Sequence, residues 1–382
     1  GLETYVDQVG NLMIRKAASQ GKEHVTGVVL QGHLDMVTQA NSGTIHNFEQ
    51  DPIRPILEDG WLVAKDTTLG ADNGIGVALA LAVLESDDIS HGPIEVLLTV
   101  DEEAGMSGAR LLESGVLKSK WLFNIDTEEW GELYLGCAGS QDVEVHQKLS
   151  YIAAPRSGLK TVEISVTGLK GGHSGVDIHL GRGNANVILS KFLHQYLFEL
   201  DAYLVEFSGG SARNAIPREA TALILIDESR IETLQKYVKN YENQCLQKLK
   251  GIDDRLKIDV ELKEQTVTQA IHPQQQTSWL SALATCPYGV AKMSDVLDNV
   301  VETSNNIGVV QLNQQQAKAL IMVRSMVNRE AERFSQEIAA HFNKAGIASE
   351  FTPLVSGWTP NPDSAALKCL QQAYQTAFNI EP

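Results

Sequence analysis

The feature that most constrains the fold is an alternation of short apolar runs with stretches of helical spacing between Val28 and Ala138. Runs that are apolar throughout are typical of strands buried on both faces of a sheet. The predicted strands are 28–30, 94–100 and 122–125, and the predicted helices between and after them are 73–85 and 106–117. Strands that alternate with helices predict an α/β domain whose mostly parallel sheet has helices on both faces.

A different pattern begins after about residue 140. Val162, Ile164 and Val166 alternate with polar residues, which indicates a strand with one solvated face. Similar alternation recurs in 258–262 and 319–323, and helical spacing occurs in 189–200 and 234–241. This part of the chain is therefore predicted to be an α+β domain with an antiparallel sheet.

The last segment carries Leu367, Leu370 and Tyr374 at helical spacing, and we expect that helix to return to the first domain. The α+β domain is then an insertion. We predict a first domain of residues 1–139 and 357–382 and an inserted domain of residues 140–356, since 382 residues suffice for two domains.

Composition excludes some classes of function. The formal net charge of -17 argues against a nucleic-acid partner, because the phosphate backbone would be repelled. No apolar run reaches the length of a membrane span, so no membrane partner is expected. The four cysteines are too scattered for a disulfide framework or a thiolate metal site, which favours a reducing, cytoplasmic location.

Candidate metal ligands follow the predicted strands. His33 comes at the end of the first strand, the acids 101–103 follow the second, and Asp126 follows the third, while Asp72 lies at the start of a helix. Ligands of open parallel sheets bind at the carboxyl ends of the strands, so these side chains should converge. One imidazole with several carboxylates is a ligand set for zinc or a similar divalent ion.

The number of acids favours two ions rather than one, because neighbouring carboxylates repel each other unless cations neutralise them. Two ions about 3.5–4 Å apart need a bridging carboxylate, and Asp72 is placed for that role. We expect Glu103 to be a ligand and the adjacent Glu102 to be the general base. Asp35, two residues beyond His33, is expected to orient the imidazole.

Each of these features is ordinary when it stands alone. A histidine after a strand is usually a surface or core residue, and an acid pair that opens a helix usually complements the helix dipole. Asp72 alone would be a helix cap. Their common location at strand ends is what favours a metal site.

The motifs at these positions resemble those of the M20 metallopeptidases, and within that family the aminoacyl-histidine dipeptidases. The resemblance covers nearly the whole chain and is carried by the segments 30–37 (LQGHLDMV), 68–76 (TLGADNGIG), 101–105 (DEEAG), 124–126 (NID) and 136–139 (GCAG). It implies a metallo-dipeptidase with two divalent ions, zinc first, with cobalt or manganese as alternatives. The implied substrates are small peptides, Xaa-His dipeptides such as β-alanyl-histidine.

The resemblance also implies a role for each residue. His33 and Asp126 would be ligands of one metal, Asp72 the bridge, and Glu103 a ligand of the other, with a cis peptide bond after Asp72. Glu102 would be the base that activates a metal-bound water. In the inserted domain, which is the lid and dimerisation domain of the family, the implied substrate-binding residues are His173, Asn214 and Arg324. The resemblance implies a homodimer formed through that lid, and in dimeric members of the family the lid histidine acts from the neighbouring subunit.

One departure from the family pattern concerns the second metal. Family members supply a last histidine ligand in a later segment, which this sequence lacks, and the expected N-terminal helix region is also absent before Gly1. We therefore expect a fragment, truncated at both ends, that binds the second metal weakly and turns over poorly or not at all.

Two other classes of function remain open from sequence. Tripeptide aminopeptidases and deacylases of N-acyl amino acids in the same family use the same metal ligands. A non-catalytic protein that binds metal or dimerises is the second alternative, although the acid pair at 102–103 argues against it because a structural metal site needs no unligated base.

Overall fold

A computed structural model describes residues 1–41, 43–127, 129–264 and 267–382. The chain forms two compact units, the first of Gly1–Leu133 with Lys368–Pro382 and the second of Tyr134–Leu367. The sequence predicted an inserted domain with boundaries at 139/140 and 356/357, whereas the two units divide at 133/134 and 367/368. The assignment of catalytic and lid roles to the two units stays a prediction.

Helices and strands occur in both units. The helices are α1 (Ala71–Glu85), α2 (Ser107–Arg110), α3 (Ala185–Tyr196), α4 (Ile231–Lys248), α5 (Pro273–Thr285), α6 (Asn328–Lys344) and α7 (Ala365–Phe378). The strands of the first unit are β1 (Glu3–Val6), β2 (Leu12–Lys16), β3 (Val28–His33), β4 (Pro55–Glu58), β5 (Trp61–Ala64), β6 (Ile94–Thr99) and β7 (Trp121–Asn124). Those of the second unit are β8 (Gly139–His146), β9 (Tyr151–Ala153), β10 (Lys160–Thr167), β11 (Gly172–His173), β12 (Tyr203–Gly209), β13 (Ala215–Ile216), β14 (Ala220–Ile226), β15 (Lys257–Lys263), β16 (Gln269–Ile271), β17 (Gly289–Met293), β18 (Val301–Leu312), β19 (Ala317–Ser325) and β20 (Ala348–Phe351).

The first unit is built on a mixed sheet with the strand order β1-β2-β6-β3-β7. Its centre is parallel, since β3 pairs in parallel with both β6 and β7. These are the three strands that the apolar runs predicted. The antiparallel strands β1 and β2 extend the sheet on one side and were not predicted from the sequence.

Both faces of this sheet are covered. Alternate residues of β6 point to opposite faces, and Val96 and Leu98 pack in one apolar cluster with Ala80 and Leu84 of α1. Leu97 packs in a second cluster with Leu112, Val116 and Leu117, which follow α2. Each fully buried leucine of this kind contributes roughly 1.5–3 kcal/mol to folding.

The helix predicted over 106–117 is wrong in its length. The helix ends at Arg110, and the chain continues through turns to a left-handed Gly115 with φ 81°. Glycine at positive φ does not continue a helix. The apolar residues of this segment still cover the sheet, but from an irregular backbone.

The second unit is built on a nine-stranded sheet in which every described pairing is antiparallel, as the alternating pattern predicted. The helices α3 to α6 contribute to a single apolar cluster with its strands, in which Trp279, Phe192 and Phe342 are among the largest fully buried side chains. Among the described residues, no helix is both long enough and apolar enough to cross a membrane.

Candidate metal centre

Three elements of the first unit bring the candidate ligands together. His33 is the last residue of β3, and Asp126 follows the end of β7, the parallel neighbour of β3. Asp72 lies in the first turn of α1, which packs on the same sheet. Because parallel neighbours end at the same edge, the side chains of His33 and Asp126 are held close.

His33, Asp72 and Asp126 form a compact group. His33 Nε2 lies 2.9 Å from Asp72 Oδ1 and 3.6 Å from Asp126 Oδ1. One potential ligand atom from each residue lies within 4.8 Å of the other two. The His33 side chain is 1% exposed, whereas that of Asp72 is 51% exposed, so the group has a buried side and a side open to solvent.

The orientation of the imidazole suits a metal ligand. His33 Nδ1 lies 2.9 Å from the backbone carbonyl oxygen of Asp35, to which the Nδ1–H donates. The Nε2 atom is then left to face the two carboxylates. A hydrogen bond on the far nitrogen is the usual way in which a metal-binding imidazole is held in one tautomer.

The charges of the group are poorly balanced without a cation. Burial raises the pKa of Asp126 to about 6, against the opposing charge of His33 and with a further rise from the hydrogen-bonded Asp72. Burial also raises the pKa of Glu102, and the neighbouring carboxylates add to the rise. Repulsion of this kind is what a divalent cation relieves, so the donor set fits the metal that the sequence predicted.

Asn73 connects two of the candidate ligands. The Asp72–Asn73 peptide bond is cis, which confirms the expectation from the family resemblance. The buried Asn73 side chain donates from Nδ2 to the carbonyl oxygen of Ile125, the residue before Asp126, at 3.0 Å. It occupies the space beside Gly32 and Gly76, where a Cβ atom on either glycine would collide with Asn73 Oδ1. The Asn73 amide therefore fixes the spacing between the α1 turn and the end of β7.

The Asp35 carboxylate faces His33 and also makes two contacts that were not predicted. Its Oδ1 is 3.5 Å from His33 Nδ1, farther than the backbone carbonyl that holds the ring. Its two oxygens accept hydrogen bonds from the backbone N–H groups of Glu102 at 3.0 Å and Glu103 at 2.9 Å. Asp35 thus anchors the acid pair. No sequence pattern indicates this contact, because it depends on the conformation of the loop after β6.

We expect Asp35→Asn to weaken metal binding. An asparagine presents an NH2 group to one of the two backbone N–H donors, so one bond is lost and the acid pair shifts. Loss of a contact that supports a ligand typically costs 10–100-fold in metal affinity. Competition with a chromogenic chelator measures the affinity, and Asp88→Asn, which removes an acid beyond the far end of α1, is the control. An unchanged affinity in Asp35→Asn would contradict this role.

Glu102 and Glu103 form a second potential ligand group, again with His33. Glu102 is half-buried and Glu103 is exposed. The sequence predicted that Glu103 shares a metal with Asp72, but Asp72 is not a member of this second group. The group of His33, Asp72 and Asp126 contains all three ligands predicted for the first metal. The group of His33, Glu102 and Glu103 contains the predicted base, Glu102, but not the predicted bridge, Asp72.

The candidate substrate-binding residues lie together in the second unit. Arg324 on β19 donates from Nε to Ser174 Oγ at 3.2 Å, and its Nη2 lies 3.4 Å from His173 Nε2. The Ser174 N–H donates to the carbonyl oxygen of Asn214 at 2.8 Å. Short pairing of β11 with β13 places His173 opposite Ala215, so His173 and Asn214 lie on adjoining segments.

The local backbone determines which nitrogen of His173 carries the proton. Its Nδ1 accepts hydrogen bonds from the N–H groups of Gly175 at 3.3 Å and Val176 at 3.2 Å. Burial, followed by the nearby charge of Arg324, lowers the pKa of His173, so the ring is neutral at pH 7. A neutral ring that accepts at Nδ1 carries its proton on Nε2. Nε2–H and the Arg324 Nη2 group 3.4 Å away are then both donors and do not hydrogen-bond to each other, so both are available to an acceptor.

Two known proteins are similar to this chain along its whole length. The chain is 41% identical over 386 residues to the cytosol non-specific dipeptidase of Escherichia coli, an alignment that covers 100% of this chain and 78% of the relative. The crystal structure of aminoacylhistidine dipeptidase from Vibrio alginolyticus matches with a TM-score of 0.92 and 42% identity, covering 100% of this chain and 77% of that one.

Two partial similarities agree with these. The family description "Peptidase dimerisation domain" of the M20 group matches residues 164–253, within the second unit. Peptidase T of Citrobacter koseri is 44% identical over 70 residues, which is 18% of this chain.

Proposed function

This chain belongs to the M20 peptidase family, and from that premise we propose that it is a metal-dependent dipeptidase that hydrolyses the amide bond of short peptides. The observation that carries the proposal is the convergence of His33, Asp72 and Asp126, whose ligand atoms lie within 4.8 Å of one another. The half-buried carboxylate of Glu102 lies beside the same histidine.

The proposed substrates are dipeptides, including Xaa-His dipeptides such as β-alanyl-histidine. Support comes from the names of the two relatives that match the whole of this chain. One is a non-specific dipeptidase and the other is an aminoacylhistidine dipeptidase. Both names agree on a dipeptide, and they differ on how strictly histidine is required. The proposal therefore includes Xaa-His dipeptides without restricting the enzyme to them.

We propose that the centre holds two divalent ions, with zinc as the first candidate and cobalt or manganese as alternatives. His33 and Asp126 would bind one ion, Glu103 the other, and Asp72 both. When bound, such ions polarise a substrate carbonyl and lower the pKa of water toward neutrality.

Glu102 is the proposed general base. Its carboxylate removes a proton from the attacking water and later returns that proton to the leaving amine, so that it ends the cycle as it began. Asp35 holds the Glu102 backbone and so limits where the carboxylate can reach.

The residues of the second unit are proposed to bind the polar groups of the substrate. His173 Nε2–H would donate to the carbonyl oxygen as negative charge develops there, together with Asn214. Arg324 would bind the terminal carboxylate, for which a guanidinium is well shaped. A homodimer formed through this unit and a cytoplasmic location complete the proposal.

A substrate panel tests the proposed function. The protein expressed from its whole natural reading frame is loaded with Zn²⁺, Co²⁺ or Mn²⁺ and assayed on β-alanyl-histidine, other dipeptides, a tripeptide and an N-acetyl amino acid. We expect cleavage of dipeptides rather than of the amino-terminal bond of the tripeptide, since Arg324 would require a carboxylate one residue beyond the scissile bond.

The other substrates are the controls. Faster cleavage of the tripeptide or of the N-acetyl amino acid would replace the proposal by the corresponding activity of the same family. Metal binding without cleavage of any of these compounds would favour a non-catalytic role.

A further inference from the structure

We propose that Asn306, a buried asparagine of β18, is the positioning residue that holds the Asn214 segment and, through it, His173. The inference rests on the proposed function, in which Asn214 and His173 contact the substrate. It assigns a role to a residue that has no chemistry of its own in the reaction.

The contacts of Asn306 surround Asn214. Its side-chain amide donates from Nδ2 to the carbonyl oxygen of Arg213 at 3.2 Å and to that of Ala215 at 2.8 Å. These carbonyls belong to the residues immediately before and after Asn214. Both hydrogens of one amide group are thus used to hold the backbone carbonyls of the two residues that flank Asn214.

The orientation of the Asn306 amide is itself fixed by Asn184. Asn184 Nδ2 donates to Asn306 Oδ1 at 3.1 Å and to the carbonyl oxygen of Ile307 at 3.2 Å. Asn184 is the N-cap of α3, where its Oδ1 accepts the Val187 N–H at 3.1 Å. With its oxygen occupied by an N–H donor, the Asn306 amide has to point its NH2 group at the Asn214 segment. The N-cap of α3 therefore determines the direction in which the Asn306 amide donates.

The burial of these groups makes the contact consequential. Asn306 is 0% exposed and Asn184 is 1% exposed. The bonds to the Arg213 and Ala215 carbonyls are part-buried. A carbonyl that loses its donor there is costly as long as the segment keeps it from water. The Asn214 segment therefore cannot keep its position and lose the amide of Asn306 without a penalty, and movement toward solvent is the way to relieve that penalty.

Close backbone packing at Gly308 supports the same conclusion independently. A Cβ atom on Gly308 would lie 2.7 Å from Arg213 Cα and 2.7 Å from the Arg213 carbonyl oxygen. The register of β18 with β19 shifts between Ile307 and Val309, so the strand is irregular where it meets this segment. Only a glycine allows β18 to approach the segment closely enough for the Asn306 amide to reach it.

The path from Asn214 to His173 is short. The Asn214 carbonyl oxygen accepts the Ser174 N–H at 2.8 Å, and β13 pairs with β11 so that Ala215 is opposite His173. A shift of the Asn214 segment is therefore transmitted to the backbone of His173. Since a misplacement of about 1 Å can cost on the order of 100-fold in rate, the effect of Asn306 on catalysis should be large.

The test compares two buried asparagines of the same network. Asn306→Ala removes the donors to the Asn214 segment. Asn186→Ala is the matched control, because Asn186 is 1% exposed and its Nδ2 donates to the carbonyl oxygens of Gly209 and Ile307 but not to the Asn214 segment. Asn306→Ala loses three side-chain hydrogen bonds, the two that it donates and the one that it accepts from Asn184, and Asn186→Ala loses two. Both variants should therefore lower the melting temperature.

Only Asn306→Ala should alter the reaction. We expect kcat for dipeptide hydrolysis to fall by about 10–100-fold with a smaller change in KM, because His173 and Asn214 act on the charge that develops at the carbonyl. Amide hydrogen exchange of Ser174 should accelerate in Asn306→Ala and stay unchanged in Asn186→Ala. Equal effects of the two variants on kcat, or unchanged exchange of Ser174 in Asn306→Ala, would overturn the proposal.

Two features keep the test decisive. If Asn306→Ala does not fold, Asn184→Asp carries the test, since it keeps the acceptor for the Val187 N–H and removes the donor to Asn306; it should again accelerate Ser174 exchange. If the wild-type protein cleaves no dipeptide, the proposed function fails, and the exchange comparison still decides whether Asn306 holds the segment.

Discussion

Replacing Glu102 by glutamine is expected to lower kcat for dipeptide hydrolysis by about 10²–10⁴-fold, the usual contribution of a general base. Glutamine has nearly the same shape but does not accept a proton at neutral pH. Glu102 is half-buried beside His33, and its backbone N–H is bound to Asp35, so the substitution should leave the loop in place. Metal content, measured by atomic emission after dialysis, should stay at the wild-type value, and KM should change little.

The adjacent residue provides the control. Glu103→Gln changes the same charge one position away, and it should lower metal affinity because Glu103 is a proposed ligand. Glu102→Gln should therefore lose turnover and keep its metal, whereas Glu103→Gln should lose metal. Retention of kcat within about tenfold in Glu102→Gln would contradict its role as the base.

The second large effect is expected from Asp72→Ala. Asp72 is the proposed shared ligand, and its Oδ1 lies 2.9 Å from His33 Nε2. We expect metal affinity to fall by more than about 100-fold, beyond the loss typical of a residue that only supports a ligand. Activity should fall to background. Because a ligand that binds only the folded state raises its stability, the rise in melting temperature on adding Zn²⁺ should disappear in this variant.

Glu58→Ala is a suitable control for Asp72→Ala, since it removes an exposed acid of β4 in the same unit. It should keep both the metal-dependent rise in melting temperature and the activity. The same loss of the rise in both variants would show that zinc acts through the general negative charge of the surface. A normal rise in Asp72→Ala would contradict the role of Asp72 as a ligand.

The proximity of His33 and Asp126 was accessible from the sequence for a simple reason. Strands that are apolar throughout are recognisable, and the carboxyl ends of parallel neighbours lie at one edge of a sheet. The residues that follow such strands are therefore placed by topology alone.

Contacts that depend on loop conformation were not accessible in this way. The bonds from the Asp35 carboxylate to the N–H groups of Glu102 and Glu103 follow a left-handed Asp101, with φ 61°, which no periodicity indicates. The early end of α2 depends likewise on local turns. In both places the decisive conformation is that of a few residues with no repeating pattern.

The strand that carries Asn306 was missed for a different reason. Residues 302–306 of β18 are all polar, yet all are buried. A polar run predicts an exposed loop, because buried polar groups are favourable only when specific partners satisfy them. For Asn306 those partners are distant in sequence, the nearest being Ala215. Tertiary structure was needed to find them.

The most direct test of the account is a crystal structure of the protein grown with zinc, with diffraction measured at the zinc absorption edge. We predict an anomalous peak bound by His33 Nε2, Asp72 and Asp126, with a Zn–N distance of about 2.0–2.1 Å. A second peak should lie about 3.5–4 Å away on Asp72 and Glu103, with Glu102 bound to neither ion. An ion ligated by Glu102, or no peak at His33 under saturating zinc, would contradict the account.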